Sequence, residues 1–167
     1  MQKFVLIEDQ GGKEIYIDLI SSQAGHYLSR RPHIASLLRE LLNQKKLSGA
    51  RVVLEQDMGR GIGTTDIVTT SDKDSIYYAK PVKSEIYIRF VKNRGPQPSN
   101  TLTVIAELDD DGNYEISNAW IGPKCPAFPG EEQESADSKA YWQSHALAHD
   151  THVVQSRSIT KDCPYDW

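Results

Sequence analysis

The chain has 167 residues, 38% of them hydrophobic, and a formal net charge of −4, enough for one domain with a buried core. No apolar run approaches the roughly 20 residues that cross a bilayer as a helix. The N-terminal MQKFVLIEDQ meets acid at once and shows no small-residue cleavage site, so a leaderless, cytoplasmic chain is expected. The negative total argues against a broad, non-specific nucleic-acid surface, which leaves a basic footprint.

Residues 3–8 and 14–20 read as a short hairpin around Gly11–Gly12. Pro32 then suits the first turn of a helix. Ile34, Leu37, Leu38, Leu41 and Leu42 recur at helical spacing, Lys45 and Lys46 complement the C-terminal dipole, and Gly49 marks the stop. RVVLEQ (51–56) reads as a strand and DMGRGIG (57–63) as a glycine-punctuated loop. Strands follow at 66–70 and 75–80, separated by the polar SDKD, and at 85–92, 101–108 and 113–121. The last two are joined by DDDGN, a hairpin signal. Along 101–108 one face carries Leu102, Val104, Ala106 and Leu108, and the other Thr101, Thr103, Ile105 and Glu107.

A Pro/Gly loop with an acidic end, 122–134, leads to a second helix around 136–148, capped by Ser135 or Asp137. Beyond 149 there is little periodicity except a short strand signal at 152–155. The predicted fold is α+β: an N-terminal hairpin and helix, a twisted antiparallel sheet of four to six strands, and a second helix near the C-terminus. A single domain spans 1–167, with 149–167 as an extended tail.

Charge is unevenly spread. Residues 1–104 carry 15 Lys+Arg against 11 Asp+Glu, whereas 105–167 carry 4 against 12. Within 80–94, Lys80, Lys83, Arg89, Lys92 and Arg94 face Glu85 alone. Two readings stand: a compact anion site, or a strand edge kept soluble by charge.

Cleaving RNA through its own 2′-hydroxyl needs a base, an acid and a cation for the charge that develops on phosphorus. Histidine, a cation and a hydroxyl fill those roles without metal or cofactor. The residue types that fit are His26, His33, Lys92, Arg94 and Thr103 as catalytic groups, with Arg30, Arg31, Arg60, Arg89 and Thr101 holding phosphate or substrate. Each has a plainer reading. The histidines flank a helix start, the glycines around Arg60 shape a turn, and threonine is a good strand residue.

His145, His149 and His152 stand at i, i+4 and i+7, a spacing that aligns three imidazoles for zinc only if a helix continues through 152. Trp120, Phe128, Tyr141 and Trp142 read as core more readily than as base-stacking surface. Cys125 and Cys163 read as free thiols in a reducing compartment.

The leading helix followed by an antiparallel sheet over 33–121 resembles the barnase–EndoU–colicin–RelE group of small ribonucleases, many of them bacterial toxins. The resemblance is one of architecture and residue type. It implies a metal-independent ribonuclease with RNA as partner, His33 on the helix, Lys92 or Arg94 on a strand, and Thr101 or Thr103 beside them. A rival of another class is a non-catalytic immunity or adaptor protein, whose acidic C-terminal third, including Glu131, Glu132 and Glu134, docks a basic partner.

Overall fold

The structure, a computed structural model, describes residues 1–82, 84–149 and 158–166. In chain order its elements are β1 (Lys3–Gln10), β2 (Lys13–Asp18), α1 (Gln23–Arg30), α2 (Ile34–Gln44), β3 (Arg51–Asp57), β4 (Gly63–Thr65), β5 (Ile67–Thr69), β6 (Ile76–Ala79), β7 (Ile88–Val91), β8 (Gln97–Ser99), β9 (Thr101–Leu108), β10 (Tyr114–Ile121), α3 (Ala136–Ser144) and β11 (His145–Ala148). The fold is α+β, with the expected N-terminal hairpin, helices and C-terminal helix. The strands form three sheets, of five, four and two strands. The strand expected at 152–155 lies outside the described residues. The chain divides into two compact units, Met1–Gly63 with Ser99–Pro123, and Thr64–Pro98 with Lys124–Trp167.

In the first unit the five-stranded sheet runs β1-β2-β10-β9-β3. Only the β2–β10 pair is parallel; the other pairs are antiparallel. One face is built from Ile15, Ile17, Leu102, Val104, Ala106, Ile116 and Ile121, and it packs with Ile34, Leu37, Leu38, Leu41 and Leu42 of α2 in one core. Period-two alternation on the strands and 3.6-residue spacing on the helix bring these apolar sets together.

Where the sequence predicts one helix after the hairpin, there are two. Ser22 caps α1, its Oγ accepting from the Gly25 amide at 2.8 Å and donating to Asp18 O at 2.7 Å. The helix ends at Arg31, whose φ of −136° and ψ of 74° are not helical, as expected of a residue preceding proline. Pro32 therefore separates two helices. The end of α2 is closed by Gln10 from β1: its Nε2 donates to Leu42 O at 2.6 Å and Lys45 O at 3.2 Å, while its Oε1 accepts from the Leu47 amide at 2.9 Å. Carbonyls orphaned at a helix C-terminus are satisfied there by a side chain.

In the second unit the four-stranded sheet runs β5-β11-β7-β6, with β11 antiparallel to β5 and parallel to β7. One face carries Tyr77, Ala79, Ile88 and Phe90, packed with Phe128 and Leu147. The other carries Val68, Val91 and Ala146. Trp142 of α3 is buried, lies 4.4 Å from Phe128 between ring centres, and donates through Nε1 to Pro126 O and Ala127 O. Ser135 caps α3, its amide donating to Ser138 Oγ at 3.0 Å. The helix stops at Ser144, four residues short of the predicted end, and the chain continues as β11.

A Cβ on Gly25 would stand 2.6 Å from Asp18 O and 2.9 Å from the Leu19 Cα, both backbone atoms that cannot swing aside. Gly→Ala in a helix ordinarily gains up to about 1 kcal/mol. Here the sign reverses: Gly25→Ala should cost about 1–3 kcal/mol, read as a lower urea midpoint. A midpoint equal to or above that of the parent chain would contradict the packing described.

Candidate binding surface

The residues singled out from the sequence fall in both units. In the first, His26 is exposed on α1, and His33, exposed at the N-cap of α2, has Nε2 3.3 Å from Ile62 O. Arg30 closes α1, and the Arg31 guanidinium lies 4.7 Å from the centre of the Tyr27 ring. Arg60 makes a two-pronged pair with Glu40, at 2.9 and 2.7 Å, and that pair holds the Glu40 carboxyl below the usual carboxylate range. Thr101 is half-buried at the start of β9. Thr103 is wholly buried, and its hydroxyl donates to Gly122 O at 2.8 Å, so this hydroxyl is committed to the backbone.

Arg89, Lys92 and Arg94 belong to the second unit. Arg89 donates to Thr70 Oγ1 at 2.7 Å and to His145 O at 3.0 Å, while its Nε is buried with no partner among the described residues. Arg94 donates to Thr69 O and stands 3.6 Å from Asp74. Lys92 is exposed just beyond β7. Two of these three cations are thus spent on the fold of their own unit.

The helix that would align three imidazoles ends at Ser144. His145 opens β11 and stacks on Tyr141, ring centres 3.9 Å apart, and His149 follows the strand with Nδ1 against the Tyr77 hydroxyl. In extended chain, positions four apart stand about 13 Å from one another, too far for two imidazoles to share one zinc ion; His152 lies outside the described residues. Among the described residues no group of three or more His, Cys, Asp or Glu side chains is placed to hold a metal ion. Cys125 and Cys163 are free thiols. Burial, with Glu131 nearby, pushes the Cys125 thiol up to about 12, which keeps it protonated.

A different set of residues converges on the sheet face of the first unit that lies opposite the helices. In register across the strands stand Val5, Tyr16, Glu115, Glu107 and Arg51, from β1, β2, β10, β9 and β3 in turn. Alternation adds Glu14 and Asp18 from β2, and Glu55 and Asp57 from β3, to the same face. Half-buried Val53, Ile105 and Trp120 give it apolar patches among the acids. Cations mark its two edges: Lys3 meets Glu14 at 3.1 Å, and Arg51 meets Glu107 at 3.6 Å.

The electrostatics of this face are not balanced. Tyr16 is buried, donates to Asp109 Oδ2 at 2.8 Å, and lies under the Lys3 ammonium at 4.4 Å. Burial, then Asp109, raises its phenol above the ordinary value. Burial works on Asp109 in the same direction, but the Asn113 amide and the Tyr16 hydroxyl outweigh it and hold this carboxyl low. The Ser21 hydroxyl and the Ile20 amide likewise hold Asp18 low. Glu115 has no such support. Burial, then Asp18, Glu107 and Asp109, raise its carboxyl, and it has no ion-pair partner among the described residues. Like charges directly opposite on neighbouring strands destabilise a sheet.

Sequence reading reached only half of this surface. The acids of 107–115 were legible as charge, but Glu14, Asp18 and Glu55 read as ordinary hairpin and strand residues, and Asp57 as the start of a glycine-punctuated loop. The available signal was their alternation with apolar neighbours, which set all of them on the face away from the core. No protein-family model matches the chain, and neither a curated protein nor a solved structure matches it.

Glu115 supplies a pH test. A carboxyl whose folded pKa is raised favours the folded state most when protonated, and that contribution is lost as pH rises through the folded pKa. At neutral pH the ionised Glu115 therefore costs stability. Glu115→Gln should stabilise by about 0.5 kcal/mol at pH 7, with the gain shrinking as pH falls into the carboxylate range. Urea unfolding of both chains at pH 7 and pH 4 measures it; an undiminished gain at pH 4 would refute the charge mechanism.

Proposed function

We propose that the protein is a non-catalytic binding module of the immunity or adaptor type, whose acidic sheet face docks a basic partner. The observation that carries this reading is the in-register row of Glu115 and Glu107, in which Glu107 has Arg51 and Glu115 has no cation among the described residues. A carboxylate kept on a central strand at a cost to the free protein is compensated by a partner's Lys or Arg. Half-buried Trp120, Ile105 and Val53 beside the acids supply the aromatic and apolar contact that interface cores favour. Charge complementarity of this kind speeds association and selects partners more than it adds affinity.

The ribonuclease reading rests on surface cations, histidines and threonines acting around one phosphate. Its support is weaker, because the Thr103 hydroxyl, Arg60, Arg89 and Arg94 already have partners.

One experiment separates the two. Titrating an eight-residue arginine peptide into the protein, followed by amide NMR shifts, should give a saturable response on β2, β9, β10 and β3. Binding should weaken about three- to tenfold in Glu107→Gln/Glu115→Gln and fall as salt rises. A peptide that binds both chains equally, or shifts amides only elsewhere, removes the docking face. In parallel, total RNA in EDTA should stay intact; cleavage that disappears in Lys92→Ala would restore the ribonuclease reading.

A further inference from the structure

A cleft of about 420 Å³ opens in the first unit where the β1–β2 turn meets the end of α2. It adjoins a second of about 380 Å³, with which it shares Gln10, Gly11 and Lys46. This opening is separate from the acidic sheet face and of opposite electrostatic sign. Its floor is apolar: Leu47 and Tyr114 are buried, and Leu108 is a large hydrophobic residue left 40% exposed. Leu108 and Tyr114 are register partners on β9 and β10, so they present one continuous patch.

Two lysines, Lys13 and Lys46, line the cleft beside this floor. Lys13 Nζ donates to Gly112 O at 2.9 Å and lies 5.8 Å from the centre of the Tyr114 ring. Lys46 extends across Gly11, where a Cβ would be 3.3 Å from Lys46 Cε and 3.4 Å from Nζ. Gly11, at a φ of 61°, thus makes both the turn and the room for the lysine. Lys46 has no carboxylate partner among the described residues. Asp9, the carboxylate lining the adjoining cleft, accepts from the Gly12 amide at 2.7 Å.

The walls are held in place. Gln10 carries three backbone hydrogen bonds, and the Tyr114 hydroxyl donates to Gly49 O at 2.7 Å. Two of the Gln10 bonds also occupy Leu42 O and Lys45 O, carbonyls at the negative end of α2 that would otherwise repel an anion. A cleft whose walls are already ordered loses little freedom when a ligand enters.

We infer that this cleft binds a small apolar carboxylate, with the hydrocarbon on Leu47, Leu108 and Tyr114 and the carboxylate between Lys13 and Lys46. Inorganic anions lack the apolar half of the interaction, and neutral aromatics lack the charged half.

The test is a titration followed by amide NMR shifts with three probes: 3-phenylpropionate, 3-phenylpropanol and inorganic phosphate. Phenylpropionate should give saturable shifts at Gly11, Gly12, Leu47 and Gly49, and neither of the other probes should saturate in the same range. Lys46→Gln, a change at an exposed side chain, should weaken phenylpropionate about three- to fivefold, and Leu108→Ser should weaken it as well. The inference is overturned by the absence of a saturable response, by an equal response to the alcohol or to phosphate, or by unchanged binding in Lys46→Gln. Because the acidic face is untouched by these variants, loss of peptide docking there would leave this result standing.

Discussion

The first unit depends on the register of β10, which lies between β2, its parallel neighbour, and β9, its antiparallel one. Side chains on a strand alternate between faces, so a slip of one residue would turn every one of them over. The register that sends Ile15, Ile17, Leu102, Val104, Ala106 and Ile116 into the helical core has a second consequence. It sets Tyr16, Glu115 and Glu107 in one row on the opposite face. The hydrophobic gain on one side, at about 25 cal/mol per Å² buried, outweighs an opposed carboxylate pair worth only some tenths of a kcal/mol. That these side chains share one row is thereby imposed by core packing.

The same hairpin that builds the acidic face also bounds the cleft at the end of α2. Asp109 accepts from the Asp111 and Asn113 amides and from the Tyr16 hydroxyl, which ties the β9–β10 turn to β2. At the turn of the first hairpin, Gln10 ties β1 to α2. One polar side chain at each turn therefore orders both surfaces. The first unit carries an acidic sheet face and a lysine-flanked apolar cleft, a separation of charge that the overall −4 conceals.

How much of this was legible depends on the kind of signal. Strong local periodicity transferred directly: α2, β1, β2, β3, β9 and β10 fall where Leu spacing, β-branched alternation and the two glycine-bearing turns place them. α1 escaped because its eight residues carry few large apolar groups, and its cap, Ser22, works through the Asp18 carbonyl of the preceding strand. β11 escaped because the stretch 145–148 continues a helical pattern in sequence; pairing with Thr69, Val68 and Ile67 on one side and with Phe90 and Val91 on the other makes it a strand. Non-local hydrogen bonding overrides local propensity in such short segments. The cations of 89–94 were legible as charge, but not their commitments to Thr70, His145 O, Thr69 O and Asp74.

By itself the sequence determined an α+β chain with an amphipathic helix, a glycine-turned hairpin, a half-apolar strand at 101–108 and an acid-rich last third, because each follows from spacing between near neighbours. Tertiary structure alone decided that the strands divide into separate sheets and that Thr103 is buried. It also decided that Glu14, Asp18, Glu55 and Asp57 share a face with Glu107 and Glu115, and that Lys13 and Lys46 flank one cleft. These outcomes depend on strand order and register between residues up to about a hundred positions apart, such as Ile15 beside Tyr114. Separations of that length are set by the packing of the whole core, and no local pattern encodes them.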